Sequence, residues 1–294
     1  MNASAGRFGP VLGLLYGATF WGLVWYPSRI LEAMGMQGAW LTLVAYATAF
    51  LVFSPFVRFA TDGLLRQPWD ALMLVLAAGW TNVAFVLAVL EGEVVRVLLL
   101  FYLSPIWTMI LGRWLLHERL SWRTWLMLGL GISGALVMLW DPAVGHVPMN
   151  QADLLAASAG LAFALNNVMT RRITGLGVRA KTHLAWLGVV IVSTAFIMIQ
   201  SPFVPQAPAT AWLGTMALGV GGFMLSTLAV VYGVTHMPVQ RSAVIMLFEL
   251  VVGAASAWLL ASEIVSIQEW LGGVLILTAA VIAILQEDKH DFGS

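Results

Sequence analysis

The chain has 294 residues, of which 61% are hydrophobic and 10% charged, against about 45 to 50% and about 25% in an ordinary soluble domain. Fourteen basic and fourteen acidic residues give zero net charge, which removes the general electrostatic attraction to nucleic acid that a basic protein has. With no cysteine, disulfides, thiolate metal sites, cysteine nucleophiles and thiol lipidation are excluded together.

A bilayer-crossing helix needs about 20 mostly apolar residues, and ten stretches meet that length. The first, 10–30, follows Arg7 and has no small-x-small cleavage site behind it, so it reads as a retained helix with Trp21 deep inside. The second covers 39–59. The third, 70–90, holds Trp80 at depth, followed by Thr81 and Asn82, a ring to stack on a solute beside polar fixtures. The fourth, 95–116, opens with Arg96 and carries Phe101, Tyr102, Ser104, Pro105 and Thr108. Pro105 has no N–H, so it leaves the Phe101 carbonyl unpaired, bends the helix and offers a ligand an acceptor.

The fifth span, 122–140, carries Gly129, Gly131 and Gly134, which pack helices within or between protomers. In the sixth, 152–172, Phe163 and Asn166 are pathway candidates, although Asn166 and Asn167 also suit interhelical bonding. The seventh, 182–200, holds Trp186, and the eighth, 209–233, has Ser226, Thr227 and Tyr232. The ninth, 239–261, starts near Arg241 and places Glu249 near its middle. A carboxylate there is costly and faces a cavity or a partner; at helical spacing it shares a face with Ser242, Met246, Gly253 and Ser256. The tenth, 267–286, contains Gly272 and Gly273.

Trp40, Trp69, Trp114, Trp122, Trp140, Trp212, Trp258 and Trp270 fall near span ends, where anchoring belts are expected. With the N-terminus inside, one side collects Arg7, Arg58, Arg66, Arg113, Arg119, Arg123, Arg171, Arg172, Arg179, Lys181, Arg241 and Lys289, and the other Arg29 and Arg96. Such a split places both termini in the cytoplasm. Arg96 and Arg241, at the starts of their helices, oppose the macrodipole. They either attract a carboxylate-bearing substrate at each mouth or snorkel toward headgroups.

A slide of 145 residues aligns Arg96 with Arg241, Glu118 with Glu263, Ser121 with Ser266, Trp125 with Trp270 and Leu126 with Leu271. A slide of 143 aligns Gly17 with Gly160, Phe20 with Phe163 and Arg29 with Arg172. The chain therefore divides into a first half, 1–141, and a second, 142–294. Five spans per half is odd, so the second half enters the membrane inverted, as in secondary transporters that bind at the midplane and rock one bundle against the other.

The run LSPIWTMILGRWLLHERLSWRTWLMLGLGISG, Leu103 to Gly134, resembles the end of the first EamA repeat of the drug/metabolite transporter superfamily. FELVVGAASAWLLASEIVSIQEWLGG, Phe248 to Gly273, resembles the same element of the second repeat. Within that superfamily the chain is most similar to the YddG-type aromatic amino acid exporters. Leu250 stands where the family commonly has Pro, which weakens the case for a kink in the ninth span, and Leu23 and Val24 replace a usual small polar pair.

The resemblance implies an all-α integral membrane protein of ten helices around a central cavity, exporting aromatic and other hydrophobic amino acids across a bacterial inner membrane by alternating access. It implies no cofactor, a monomer or weak homodimer, and amino acids and lipid as partners. Other metabolites, cationic drugs or a lipid-linked sugar are the alternatives within transport. A membrane-embedded enzyme is the alternative outside it, but H-x-x-x-H, a phosphate-cradling G-x-x-x-x-G-K and G-x-S-x-G are all missing. One acid near the membrane centre leaves facilitated diffusion and coupling through Glu249 alone both open.

Overall fold

A computed structural model describes residues 3–36, 38–57, 66–92, 94–118, 120–140, 148–200, 203–261 and 265–285. Among them, ten helical runs are long and apolar enough to cross a bilayer: Phe8–Ala33, Gly38–Phe56, Pro68–Ala88, Arg96–Leu115, Trp122–Leu139, Gln151–Arg172, Val178–Gln200, Ala209–His236, Val239–Ala261 and Ile267–Leu285. Each coincides with an apolar stretch of the sequence, because hydrocarbon offers the backbone no partner and a helix satisfies its own polar groups. Capping boxes open two of them: Ser121 with Thr124 before the fifth, and Asn150 with Asp153 before the sixth.

Five spans depart from a continuous α-helix: the second ends in a 3-10 turn over Ser54–Phe56, and the other four change within their length. The first breaks at Val24, between Ala3–Leu23 and Trp25–Ala33. The fourth breaks between Val94–Phe101 and Ser104–Leu115, and the ninth between Val239–Met246 and Phe248–Ala261. The eighth widens into a π turn over Gly219–Met224. The break in the ninth span runs against the expectation drawn from Leu250, since no proline is there to cause it.

Packing repeats under exchange of the halves. The first span lies on the eighth and ninth, as the sixth lies on the third and fourth; the second meets the seventh, and the fifth meets the tenth. Each pair maps onto another or onto itself, which is the arrangement inverted repeats produce. Gly134 and Gly272 form the contact of the fifth span with the tenth: a Cβ on Gly134 would lie 2.7 Å from the Gly272 carbonyl oxygen. Those two glycines are therefore spent inside the protomer.

The basic span ends converge on one end of the bundle. There Arg172 pairs with Asp70 at 3.2 Å, Arg171 approaches Glu118 at 3.9 Å, and the Lys181 ammonium donates to the Thr170 carbonyl at 2.7 Å. Arg58, Arg119 and Lys289 from the charge count, and Glu263 from the repeat, lie outside the described residues. Trp69, Trp114, Trp122, Trp140, Trp258 and Trp270 are exposed, as interfacial anchors are. Trp40 and Trp212 are not such anchors; they pack edge to face at 6.3 Å, joining the second span to the eighth.

Candidate functional site

The fourth and ninth spans bring their breaks together, and the side chains at those breaks meet. The Tyr102 hydroxyl donates to Oε1 of Glu249 at 2.5 Å. Tyr102 occupies the interruption of the fourth span and Glu249 lies two residues past Leu247, the interruption of the ninth. The costly carboxylate thus has a partner of the kind expected of it, supplied by the equivalent helix of the other half.

Glycine backbones press on both breaks. A Cβ on Gly160 of the sixth span would lie 2.7 Å from the Phe101 carbonyl oxygen, and one on Gly22 of the first span 2.6 Å from the Glu249 carbonyl oxygen. The Phe101 carbonyl that Pro105 frees is therefore covered by Gly160, which corrects its expected role as a ligand acceptor. Ser104 and Pro105 are buried and Thr108 is fully so, its hydroxyl having no hydrogen-bond partner. Met246 is buried in the main apolar cluster beside Val244 and Ile245. Ser256 turns toward the first span, where its hydroxyl donates to the Gly22 carbonyl at 3.1 Å and accepts the Trp25 indole N–H at 2.9 Å.

Aromatic rings gather on both sides of the pseudo-symmetric arrangement. Phe101 tilts against Phe85 at 4.8 Å and Phe163 at 5.6 Å, and meets its neighbour Tyr102 edge-on at 5.5 Å. Trp21 meets Phe20 at 5.6 Å and Phe223 at 5.4 Å, and Tyr46 meets Phe223 at 5.0 Å. Phe20 and Phe163, aligned by the repeat, thus sit in corresponding clusters. The Tyr46 hydroxyl also lies beside the side chains of Asn82 and Thr227, two residues that the 145-residue offset makes equivalent. Sequence reading had Asn82 and Thr227 but missed Tyr46, whose hydroxyl is one of several in an apolar span that also holds Thr42, Thr48 and Ser54.

Several expected site residues have other occupations. Trp80 is 42% exposed and continues an exposed stripe of Trp69, Leu72, Met73 and Leu76 at helical spacing; its indole N–H donates to Ser158 at 3.1 Å. It lies on the exposed side of the third span, at the edge where that helix meets the sixth. Arg96 is not a free attractant at a mouth: it forms a 2.7 Å ion pair with Asp153, both buried. Arg241, also buried, donates from Nε to the Ala283 carbonyl at 2.7 Å, fastening the ninth span to the tenth. Trp186 is fully buried among Phe53 and His183. Asn166 is half-buried and its Oδ1 has no hydrogen-bond partner.

Two clefts touch candidate residues. One, with an internal volume of about 10 Å³, is lined by Asn82 with Thr42 and Ser193, and the other, with an internal volume of about 0 Å³, by Tyr102 and Leu103 against Ile132, Ala135 and Leu136 of the fifth span. Both are far smaller than the roughly 300 to 1,000 Å³ of typical small-molecule sites. Tyr102 and Glu249 close on each other in this conformation.

The model of the EamA-like transporter family matches residues 8–140 and 150–285, one match for each half of the fold. The chain belongs to the EamA-like transporter family. An uncharacterized transporter of Archaeoglobus fulgidus is 23% identical over 82% of this EamA chain and 85% of its own length. A riboflavin transporter of Rhizobium johnstonii is 24% identical, covering 84% of this chain and 80% of its own. An S-adenosylmethionine uptake transporter of Rickettsia prowazekii is also 24% identical, over 81% and 80%. A crystal structure superimposes on this EamA protein with a TM-score of 0.78, 94% of this chain and 96% of that one, at 19% identity, a likeness of fold alone. This EamA protein is thus a multi-pass membrane transporter.

Proposed function

We propose that this transporter exports aromatic and other hydrophobic amino acids by alternating access, with Glu249 taking the solute's amino group. The observation that carries the reading is the Tyr102 to Glu249 hydrogen bond at 2.5 Å, made where the broken spans of the two halves meet. An ammonium group is a stronger partner for a carboxylate than a phenol is. A solute carrying one displaces the Tyr102 hydroxyl and releases the fourth span from the ninth. The rings of Phe101, Phe163 and Trp21 offer faces for an aromatic side chain, and Asn166, with an unpartnered Oδ1, offers an acceptor. The halves then rock about the site.

In this reading the basic end of the bundle faces the cytoplasm, both termini lie on that side, and the membrane is a bacterial inner membrane. The protein works as a monomer or weak homodimer, either as a facilitator or with protons coupled through Glu249. The relatives named for riboflavin and S-adenosylmethionine support a second reading, in which the same site takes a larger ring-bearing solute.

Uptake of radiolabelled amino acids into liposomes containing the purified protein, with and without a pH gradient, tests the proposal. Saturable uptake of an aromatic amino acid is expected, with riboflavin and S-adenosylmethionine as competitors for the second reading. No saturable uptake of any aromatic amino acid would sink the first, and uptake indifferent to the gradient would sink proton coupling.

A further inference from the structure

At the basic end, the chain leaves the fourth span through His117, whose φ of 56° is the one positive value at a non-glycine among the described residues. Left-handed backbone is unfavourable for an L residue, and such strain concentrates where a side chain must be aimed. Here it closes the helix: the Glu118 N–H turns back onto the Gly112 carbonyl six positions earlier at 3.2 Å, a return one residue longer than that of a Schellman cap. The turn points the Glu118 carboxylate across to the ninth span.

Val239 begins that span after Pro238, so its N–H has no partner within its own helix. It donates to Oε2 of Glu118 at 3.2 Å and to Oε1 at 3.4 Å. From the sixth span, Arg171 brings Nε to 3.9 Å from Oε1 of the same carboxylate. Its guanidinium also donates to the Thr235 carbonyl at the end of the eighth span. One acid of the first half thereby holds the ninth span and the sixth, and through Arg171 the eighth, all of the second half.

The half-helices Ser104–Leu115 and Val239–Met246 pack on each other between this carboxylate and the midplane breaks. They are joined near one end by Glu118 to Val239 and near the other by Tyr102 to Glu249.

We propose that Glu118 is the latch of the basic mouth: its bonds to Val239 and Arg171 close that mouth, and the mouth opens when they part. This follows from the family's transport activity and does not depend on which solute is carried. The latch is independent of the midplane pair in composition but shares its two half-helices, so a solute that parts Tyr102 from Glu249 loosens the latch as well.

The natural absence of cysteine permits a direct test. Gln240→Cys places a thiol at a buried position beside the latch, where Gln240 Nε2 lies 3.3 Å from a Cβ built on Gly112. Its rate of modification by a water-soluble maleimide is read in the full chain in detergent. Glu118→Ala is expected to raise that rate at least about tenfold, equivalent to ~1.4 kcal/mol in the opening equilibrium. Glu118→Gln, whose amide oxygen still accepts from Val239 but has no charge for Arg171, is expected to give a smaller rise and keeps the test available if the alanine variant does not fold. Ser226→Cys, fully buried elsewhere, is expected to stay unmodified in both backgrounds. An unchanged rate at Gln240→Cys, or an equal rise at Ser226→Cys, would overturn the latch and leave Glu118 a static helix cap.

Discussion

The fourth and ninth spans hold equivalent places in the two halves and are interrupted at equivalent points, yet only the fourth carries a proline there. Pro105 corresponds to Leu250 at the 145-residue offset. In the ninth span the Leu250 N–H is present and bonds to the Leu247 carbonyl at 3.0 Å, and Leu247 itself bonds to Val244 at 3.2 Å, both three residues back instead of four. The helix is thus rewound locally without losing its donor. What the two breaks share is external: a glycine backbone lies close by, Gly160 against the Phe101 carbonyl before the break of the fourth span and Gly22 against the Glu249 carbonyl beyond that of the ninth, and the Tyr102 to Glu249 bond runs between them. The comparison teaches that the break is imposed by packing, and that proline accommodates it in one half.

The largest expected effect comes from the bond that joins the breaks. Glu249→Gln removes the charge that an amino group would meet, and transport is expected to fall by about tenfold or more, a loss of at least ~1.4 kcal/mol in the rate-limiting step, with a melting temperature close to the parent. A variant that transports normally takes Glu249 out of the pathway. Next in size are Gly22→Ala and Gly160→Ala, which push a methyl against the Glu249 and Phe101 carbonyls. Each is expected to cost about 1 to 3 kcal/mol of stability, read by thermal unfolding in detergent; if only one is destabilising, the two breaks are not buttressed alike.

A smaller effect separates packing from proline. Leu250→Pro is expected to cost about 1 kcal/mol, one hydrogen bond, rather than the ~3 kcal/mol of a proline forced into a regular helix. Pro105→Ala is expected to lie within about 1 kcal/mol of the parent and to keep transport, since Gly160 still holds the break. A large loss in either would return the break to proline chemistry. Smallest of all, Trp80→Ala should leave solute uptake within about twofold, as a surface change of about 0.5 kcal/mol or less does, because the ring lies on the exposed stripe of the third span.

Glu249 was legible because one carboxylate in the middle of an apolar span has no innocent environment. Its partner was only half legible: Tyr102 stood out beside Pro105, but nothing in the spacing said that its hydroxyl reaches Glu249 rather than a ligand. Arg96 and Arg241 misled because a lone cation at a helix start looks the same whether it waits for a solute or meets Asp153 or the Ala283 carbonyl. Trp80 misled for a similar reason, since depth along a helix says nothing about the direction a ring faces. Glu118 was visible as a repeat residue and as part of the family run. Its role at the mouth depends on the His117 turn, which periodicity does not record.

The sequence by itself determined ten spans, their alternation, the inverted halves and the gathering of basic residues at one end. Those follow from hydrocarbon thickness, hydropathy and an odd number of spans per half, all of which are local or additive along the chain. Only the tertiary structure decided which polar groups satisfy one another. Tyr102 and Glu249 are 147 residues apart, and Glu118 and Val239 are 121 apart; a hydrogen bond is settled by a few tenths of an ångström between helices that the sequence does not orient.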